Sequence, residues 1–502
     1  MDIDAVSWKW QDDEIAKYFE DVEAQFDAMI DEGDEDIREE ALEQLKDGFD
    51  GILKMLVIAH CPRLRDVRFI TQQHDKKSTL GWLKRIIQGS IAYGSYWPPG
   101  LSNVRNIAVG VESNTWMSTR NGAIMNPPND SMLIISTLLR LLRVESVYYH
   151  DLSHRGRHDE TEFSTPILVP PRSSTVKHIF LDDCGDMPYR FRCALTSAPL
   201  ALESFTLRAG DSGERLEDAD ALVYGLADSQ GHSLHTLMFY GPYTSSQIHG
   251  YRCSAYRNEE LNKARNLKTV AIDMADIELD CFYNCDGKDD EMSYDDQKKF
   301  WLRWFLESAF PSSLETLIIW GKPEGCYLRK SEGHMLEWLE DALVAAVQGR
   351  LDSDKEEEEK EDDEADDSNS DYSDWAEHAG YWNLKAVYLA SLESVRSGET
   401  WSHSPPRTDK LQFQKLIGMG KQTGVDVDTV TNRTPPQHSH DFPTAPDKWD
   451  LRSGPWYARR AETSDWVFDV YKGRRVSKGC GKCGRCEDCF AEYSEELWRT
   501  LD

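Results

Sequence analysis

One six-residue pattern recurs along most of this chain and limits what it can fold into. Leu314-Glu315-Thr316-Leu317-Ile318-Ile319 places apolar residues at positions 1, 4 and 6, the L-x-x-L-x-L frame of a leucine-rich repeat. The frame fits again at Leu64/Val67/Phe69, Val104/Ile107/Val109, Val144/Val147/Tyr149 and Val176/Ile179/Leu181. It also fits at Leu202/Phe205/Leu207, Leu234/Leu237/Phe239, Leu267/Val270/Ile272 and Leu384/Val387/Leu389. Positions 4 and 6 are two apart and face the same side of a strand, while position 1 enters the core from the preceding turn.

Most frames start about 26 to 47 residues apart, with one longer gap, which leaves room for a helix between strands. Helical spacing of apolar residues is present at Ser131–Leu142, Gln297–Ala309 and Leu336–Val347. One strand and one helix cannot bury their own apolar faces, so the units must stack. The competing reading is an ordinary α/β domain with look-alike buried strands. Nine frames in order, and no Gly-rich dinucleotide-binding loop, favour the repeat. One frame continues to Cys184 as L-x-x-L-x-L-x-x-C, but Gly210, Pro242, Ala275 and Lys322 occupy the equivalent site elsewhere. The internal Asn ladder of regular repeats is therefore expected to be absent. The expected fold is α/β: an irregular leucine-rich-repeat solenoid (horseshoe) with an N-terminal helical cap and a C-terminal Cys-rich cap.

The expected organisation is a helical cap over residues 1–58, repeats over 59–351, an acidic disordered insertion over 352–376, last repeats over 377–430 and a tail over 431–502. Within the first segment, residues 11–31 and 35–58 are predicted as two amphipathic helices. Pro199 is predicted to stop a helix just before the frame at Leu202. Residues 352–374 carry fourteen acids against Lys355 and Lys360, a run with nothing to bury. It reads as solvated filler, with attraction of basic partners or phosphorylation at Ser368 as functional alternatives. Lys410–Gly420 is predicted as a helix, with Gly424 to Val427 as a degenerate last repeat. Trp449, Trp456 and Tyr457 are candidate anchors for the tail.

A formal net charge of −32 argues against phosphate-backbone binding, so no nucleic-acid partner is expected. No apolar run is long enough to span a membrane, and the N-terminus has no secretory pattern. With seven of 11 cysteines scattered through the repeats, reduced thiols and a cytoplasmic or nuclear location are expected.

The remaining four cysteines, Cys480, Cys483, Cys486 and Cys489, form a C-x2-C-x2-C-x2-C run and are the candidate metal ligands. A continuous helix would rotate the fourth thiolate by about 180° from the first, so a shared ion needs a turn between the pairs. A bound zinc and free thiols with no metal are equally weighted readings of this run, with an iron–sulfur cluster or a redox disulfide as further alternatives. A metal- or redox-dependent module acting through this run is thus the second functional reading. No catalytic grouping is found: Gly-x-Ser-x-Gly, His-Glu-x-x-His and a phosphate-binding loop are all absent, so no enzyme is expected.

Partner binding is expected on the strand residues between the core positions, which the frame points away from the core. Position 5 gives the column Arg68, Ala108, Tyr148, Phe180, Thr206, Met238, Ala271, Ile318 and Tyr388, and the next outward site adds His150, Tyr240 and Trp320. The candidate contact residues are Tyr148, Phe180, Met238, Tyr240, Ile318, Trp320 and Tyr388, read as exposed on the concave face. The alternative is that a loop or the tail covers this column.

Leu195–Phe205 (LTSAPLALESF), Pro311–Ile319 (PSSLETLII) and Asn383–Glu393 (NLKAVYLASLE) together resemble the fungal F-box and leucine-rich-repeat-like proteins. The tail Gly454–Val476 (GPWYARRAETSDWVFDVYKGRRV) is similar to theirs too. This resemblance implies a protein-interaction scaffold, possible service as a substrate receptor of cullin–RING ubiquitin ligases, and an N-terminal F-box that binds the adaptor. Residues 1–60 depart from it, because no Leu-Pro-x-Glu-x-Leu start is present.

Overall fold

The computed structural model describes residues 35–69, 78–92, 97–109, 131–150, 169–184, 187, 189–209, 219–240, 260–273, 277, 293–320, 336–348, 383–390, 413–429, 466–469 and 474–477. The chain divides into two compact units, Met1–Leu202 with Ala445–Asp502, and Glu203–Thr444.

Among the described residues the first unit holds helices α1 (Glu35–Lys46) and α2 (Gly51–His60), then alternates β1 (Asp66–Phe69), α3 (Thr79–Ala92), β2 (Asn106–Val109), α4 (Ser131–Leu138), β3 (Ser146–His150), β4 (His178–Cys184) and α5 (Tyr189–Ser197); the helix expected over residues 11–31 lies outside the described residues. Residues 35–58 do not form the single helix expected of them. Gly48 takes φ +88°, Phe49 N–H donates to Gln44 O and Gly48 N–H to Leu45 O. This is the bonding of a Schellman motif, and it ends α1 at Lys46, with Gly48 as the left-handed residue. The predicted helix at 131–142 is also shorter, because its last turn is given over to the 139–143 connection. Pro199 does stop α5, which ends at Ser197.

Four parallel strands lie in chain order, with Val67 beside Ile107, Ile107 beside Val147, and Val147 beside Ile179. The register therefore aligns the frame position for position. The helices stack alongside, α2 on α3 and α3 on α4. Trp82 of α3 is fully buried, and its indole N–H, which needs a partner there, donates to Gln44 Oε1 of α1 at 3.0 Å. Gln44 Nε2 donates to Glu40, and Arg85 grips Glu40 through both Nη atoms at 2.9 and 3.0 Å. The same guanidinium lies 4.8 Å over the Trp82 ring. Trp466–Asp469 and Arg474–Ser477 pair as an antiparallel ribbon.

The second unit runs β5 (Ser204–Ala209), α6 (Ala219–Gln230), β6 (Thr236–Tyr240), β7 (Thr269–Asp273), α7 (Tyr294–Ser308), β8 (Thr316–Trp320), α8 (336–348), β9 (Ala386–Ala390), α9 (Gln414–Thr423) and β10 (Asp426–Thr429). Six parallel strands again follow chain order, and Phe205, Leu237, Val270, Leu317, Val387 and Val427 fall in one register row. The degenerate last repeat is thus a true tenth strand. Its helix begins at Gln414 rather than Lys410 and ends through Gly424 at φ +73°, with Val425 N–H donating to Gly420 O. Phe413 cannot cap α9, so Glu340 of α8 does: Oε1 accepts from Lys415 N–H at 2.8 Å and Leu416 N–H at 3.2 Å. A carboxylate there also complements the helix dipole.

Two bonding patterns repeat from strand to strand. The carbonyl of frame position 2 accepts two N–H groups from positions 2 and 3 of the next repeat. This holds for Arg65, Arg105 and Glu145 in the first unit and for Glu203, His235, Lys268 and Glu315 in the second. A carbonyl has two lone pairs, so one oxygen can serve both donors. The second pattern lies just before the frame. Asn103, Asn266 and Asn383 donate to Pro62 O, His232 O and Ser312 O of the preceding turn at 2.9, 2.6 and 3.1 Å. Thr175 and Ser313, at the same place before their frames, donate instead to the position 1 carbonyls Val144 O and Leu267 O. A polar side-chain ladder therefore does exist, but it precedes position 1 instead of following position 6.

Candidate interaction surface

The frame's own apolar positions are the core: position 1 is buried from Val104 through Leu384, and positions 4 and 6 are buried in every described frame from Val67 to Leu389. The position 5 column was expected to lie exposed, and here the structure corrects the sequence. Tyr148 and Ile318 are 0% exposed, Phe180 2% and Met238 8%. Tyr148 and Phe180 stand edge to face at 5.1 Å, packing typical of an interior. The reason was present in the strands themselves. Val147-Tyr148-Tyr149, Ile179-Phe180-Leu181 and Leu317-Ile318-Ile319 are continuous apolar runs without alternation, as in parallel strands enclosed on both faces.

Tyr388 keeps partial exposure, and its hydroxyl donates to Asp426 Oδ2 of the next strand at 2.8 Å. Tyr240 and Trp320 occupy the last positions of β6 and β8, but their side chains, like that of His150, lie outside the described residues. Position 3 was not singled out from the sequence, yet it forms a small polar row. In the second unit Thr236, Thr269 and Thr316 are adjacent in register and half-buried. The signal was available as a column of Ser, Thr, Asn and Asp immediately before position 4.

Position 2 carries a row of charges. Glu145 accepts from Arg105 at 2.9 Å, and Glu315 lies between Lys268 at 2.9 Å and Lys385 at 2.8 Å. The Lys385 ammonium, followed by that of Lys268, holds the Glu315 carboxyl below the usual carboxylate range. A folded value below the unfolded one stabilises the fold above the unfolded value and loses that contribution as pH falls through the folded one. Glu315→Gln should therefore lower the thermal midpoint at neutral pH and converge with the parent chain below the usual glutamate range. Parallel pH curves for the two proteins would show that the two lysines contribute nothing through this group.

Among the described residues, no group of three His, Cys, Asp or Glu side chains could hold a metal ion, and Cys61 and Cys193 are exposed free thiols. Cys480, Cys483, Cys486 and Cys489, and the acidic run 352–374, lie outside the described residues. No described helix is long and apolar enough to cross a membrane. Compared with family models, curated proteins and solved structures, the chain matches none.

Proposed function

We propose that this chain is an irregular leucine-rich-repeat solenoid acting as a non-catalytic protein-binding scaffold, akin in role to the substrate receptors of ubiquitin ligases. The observation that carries the reading is the common register. Position 4 of each frame pairs with position 4 of the next throughout each unit, and Val427 of the degenerate repeat starting at Gly424 pairs with Val387 without a slip. Stacking of this kind repeats the same surface positions at every strand, about 4.8 Å apart, and extended repeated surfaces suit contact with another chain. The burial of Tyr148, Phe180 and Ile318 moves the accessible part of the strand face to Thr236, Thr269, Thr316 and Tyr388.

The test is affinity capture with the full chain and its Tyr388→Ala and Thr269→Lys variants, followed by titration of the purified partner. Loss of the partner with an unchanged thermal midpoint supports the strand face as the contact. A partner retained at parental affinity by both variants removes this face from the function.

A further inference from the structure

The turns that lead into β1 to β4 bring an unexpected charge to one edge of an acidic protein. In residues 61–66, 97–106, 139–146 and 169–178 lie seven cations, Arg63, Arg65, Arg105, Arg140, Arg143, Arg172 and Lys177, against two acids, Asp66 and Glu145. All seven are at least partly accessible. The ladder itself does not require this excess. At the equivalent position 2 sites of the second unit, Glu203 and Glu315 offset Lys268 and Lys385, and Glu315 serves both lysines. In the first unit Glu145 is bound to Arg105, and Arg143 donates to the uncharged Asn103 Oδ1. Among the described residues, Arg63, Arg65 and Arg172 have no carboxylate partner.

Two large apolar side chains accompany these charges. Leu142 is 46% exposed and Leu200 47%, and both hold the same place, two residues before position 1 of their frames. The backbone ties them to a single edge. Thr175 Oγ1 donates to Leu142 O at 3.4 Å, and Leu200 N–H donates to Ser174 O at 2.8 Å. Two strand spacings separate the leucines, roughly 10 Å. Arg140 and Arg143 flank Leu142, and Arg172 and Lys177 lie in the turn between the two leucines.

We infer that this strand-entry edge of the first unit binds an acidic peptide segment of a partner protein, one in which carboxylates alternate with apolar side chains. Planar guanidinium groups suit carboxylates, which they can bind through two parallel N–H donors. The leucines decide between polyanions, since a phosphodiester backbone offers them nothing, while an acidic-hydrophobic peptide uses both features. A chain of net charge −32 also repels a long polyphosphate more strongly than a short segment. The inference rests on the protein-binding reading above but places the contact on a different surface.

The experiment uses the full chain and a fluorescent peptide in which pairs of aspartates alternate with single leucines. Its controls are the same peptide with serine for leucine, and a DNA duplex of matched charge. Binding of the leucine peptide at low salt is expected, weakened about tenfold or more by Arg63→Glu with Arg143→Glu and severalfold by Leu142→Ser with Leu200→Ser. A second pair, Arg63→Gln with Arg143→Gln, should weaken binding less while leaving the thermal midpoint unchanged, which separates lost contact from lost fold. No binding of the peptide, parental affinity in the charge variants, or equal binding of the serine peptide or the duplex would overturn the inference. The Tyr388→Ala capture is independent of this edge, so either surface can fail alone.

Discussion

Phe205→Ala is expected to reduce the unfolding free energy by about 3–5 kcal/mol, the range for emptying a buried phenylalanine site. Phe205 is fully buried at position 4 of its frame in β5, and its ring meets Phe239 of β6 edge-on at 6.0 Å. Leu237, its register neighbour, is also fully buried, so the vacated volume has packed side chains on the strand side and no easy collapse. In a stacked array each repeat is held mainly by its neighbours, so the loss should also loosen β6. Urea denaturation with hydrogen exchange of β5 and β6 measures both effects. A loss under about 1 kcal/mol would show that Phe205 is not enclosed as described.

Gly100→Ala should be the next most damaging change, at about 1–3 kcal/mol, with larger values possible for a rigid obstacle. Gly100 has φ −65°, so its backbone would accept any residue, and what it needs is space. A Cβ there would lie 1.8 Å from Ile58 O and 2.8 Å from Ala59 O, both backbone atoms at the end of α2. The close approach is useful, because Gly100 N–H donates to Ala59 O at 2.7 Å and fixes the turn before β2 on the helix end. Gly89, within α3, is the internal comparison, since a Cβ there meets nothing within 4 Å. Gly89→Ala should gain about 0.5–1 kcal/mol from helix propensity alone. Thermal midpoints moving in opposite directions for the two alanines would confirm that space sets the requirement at Gly100. Similar small shifts would place α2 and the 97–100 turn farther apart.

Much of the local architecture was legible in residue order. The frame located the strands and their register, because a period of two assigns each side chain to a face and a slip of one residue would expose Val147, Leu237 or Leu317. Pro199 marked a helix end for a local steric reason, whereas the last helix, expected to end at Gly420, runs on to Thr423 and stops at Gly424 through its backbone angle. The break at Gly48 was equally local, and it was missed because the apolar stripe from Leu42 to Leu56 continues across it.

What the sequence by itself determined, then, is which residues form strands and which of their positions must be buried. The unbroken apolar runs pointed to enclosure of position 5, but only the tertiary structure decided it residue by residue, burying Tyr148 and Ile318 while leaving Tyr388, in an equally apolar run, partly exposed. It also decided the partners of the ladders. Asn383 reaches Ser312 O from 71 residues away, and Glu340 caps a helix that starts 74 residues later. Those bonds depend on which turn stacks beside which, a distance in space that the spacing of residues along the chain does not encode.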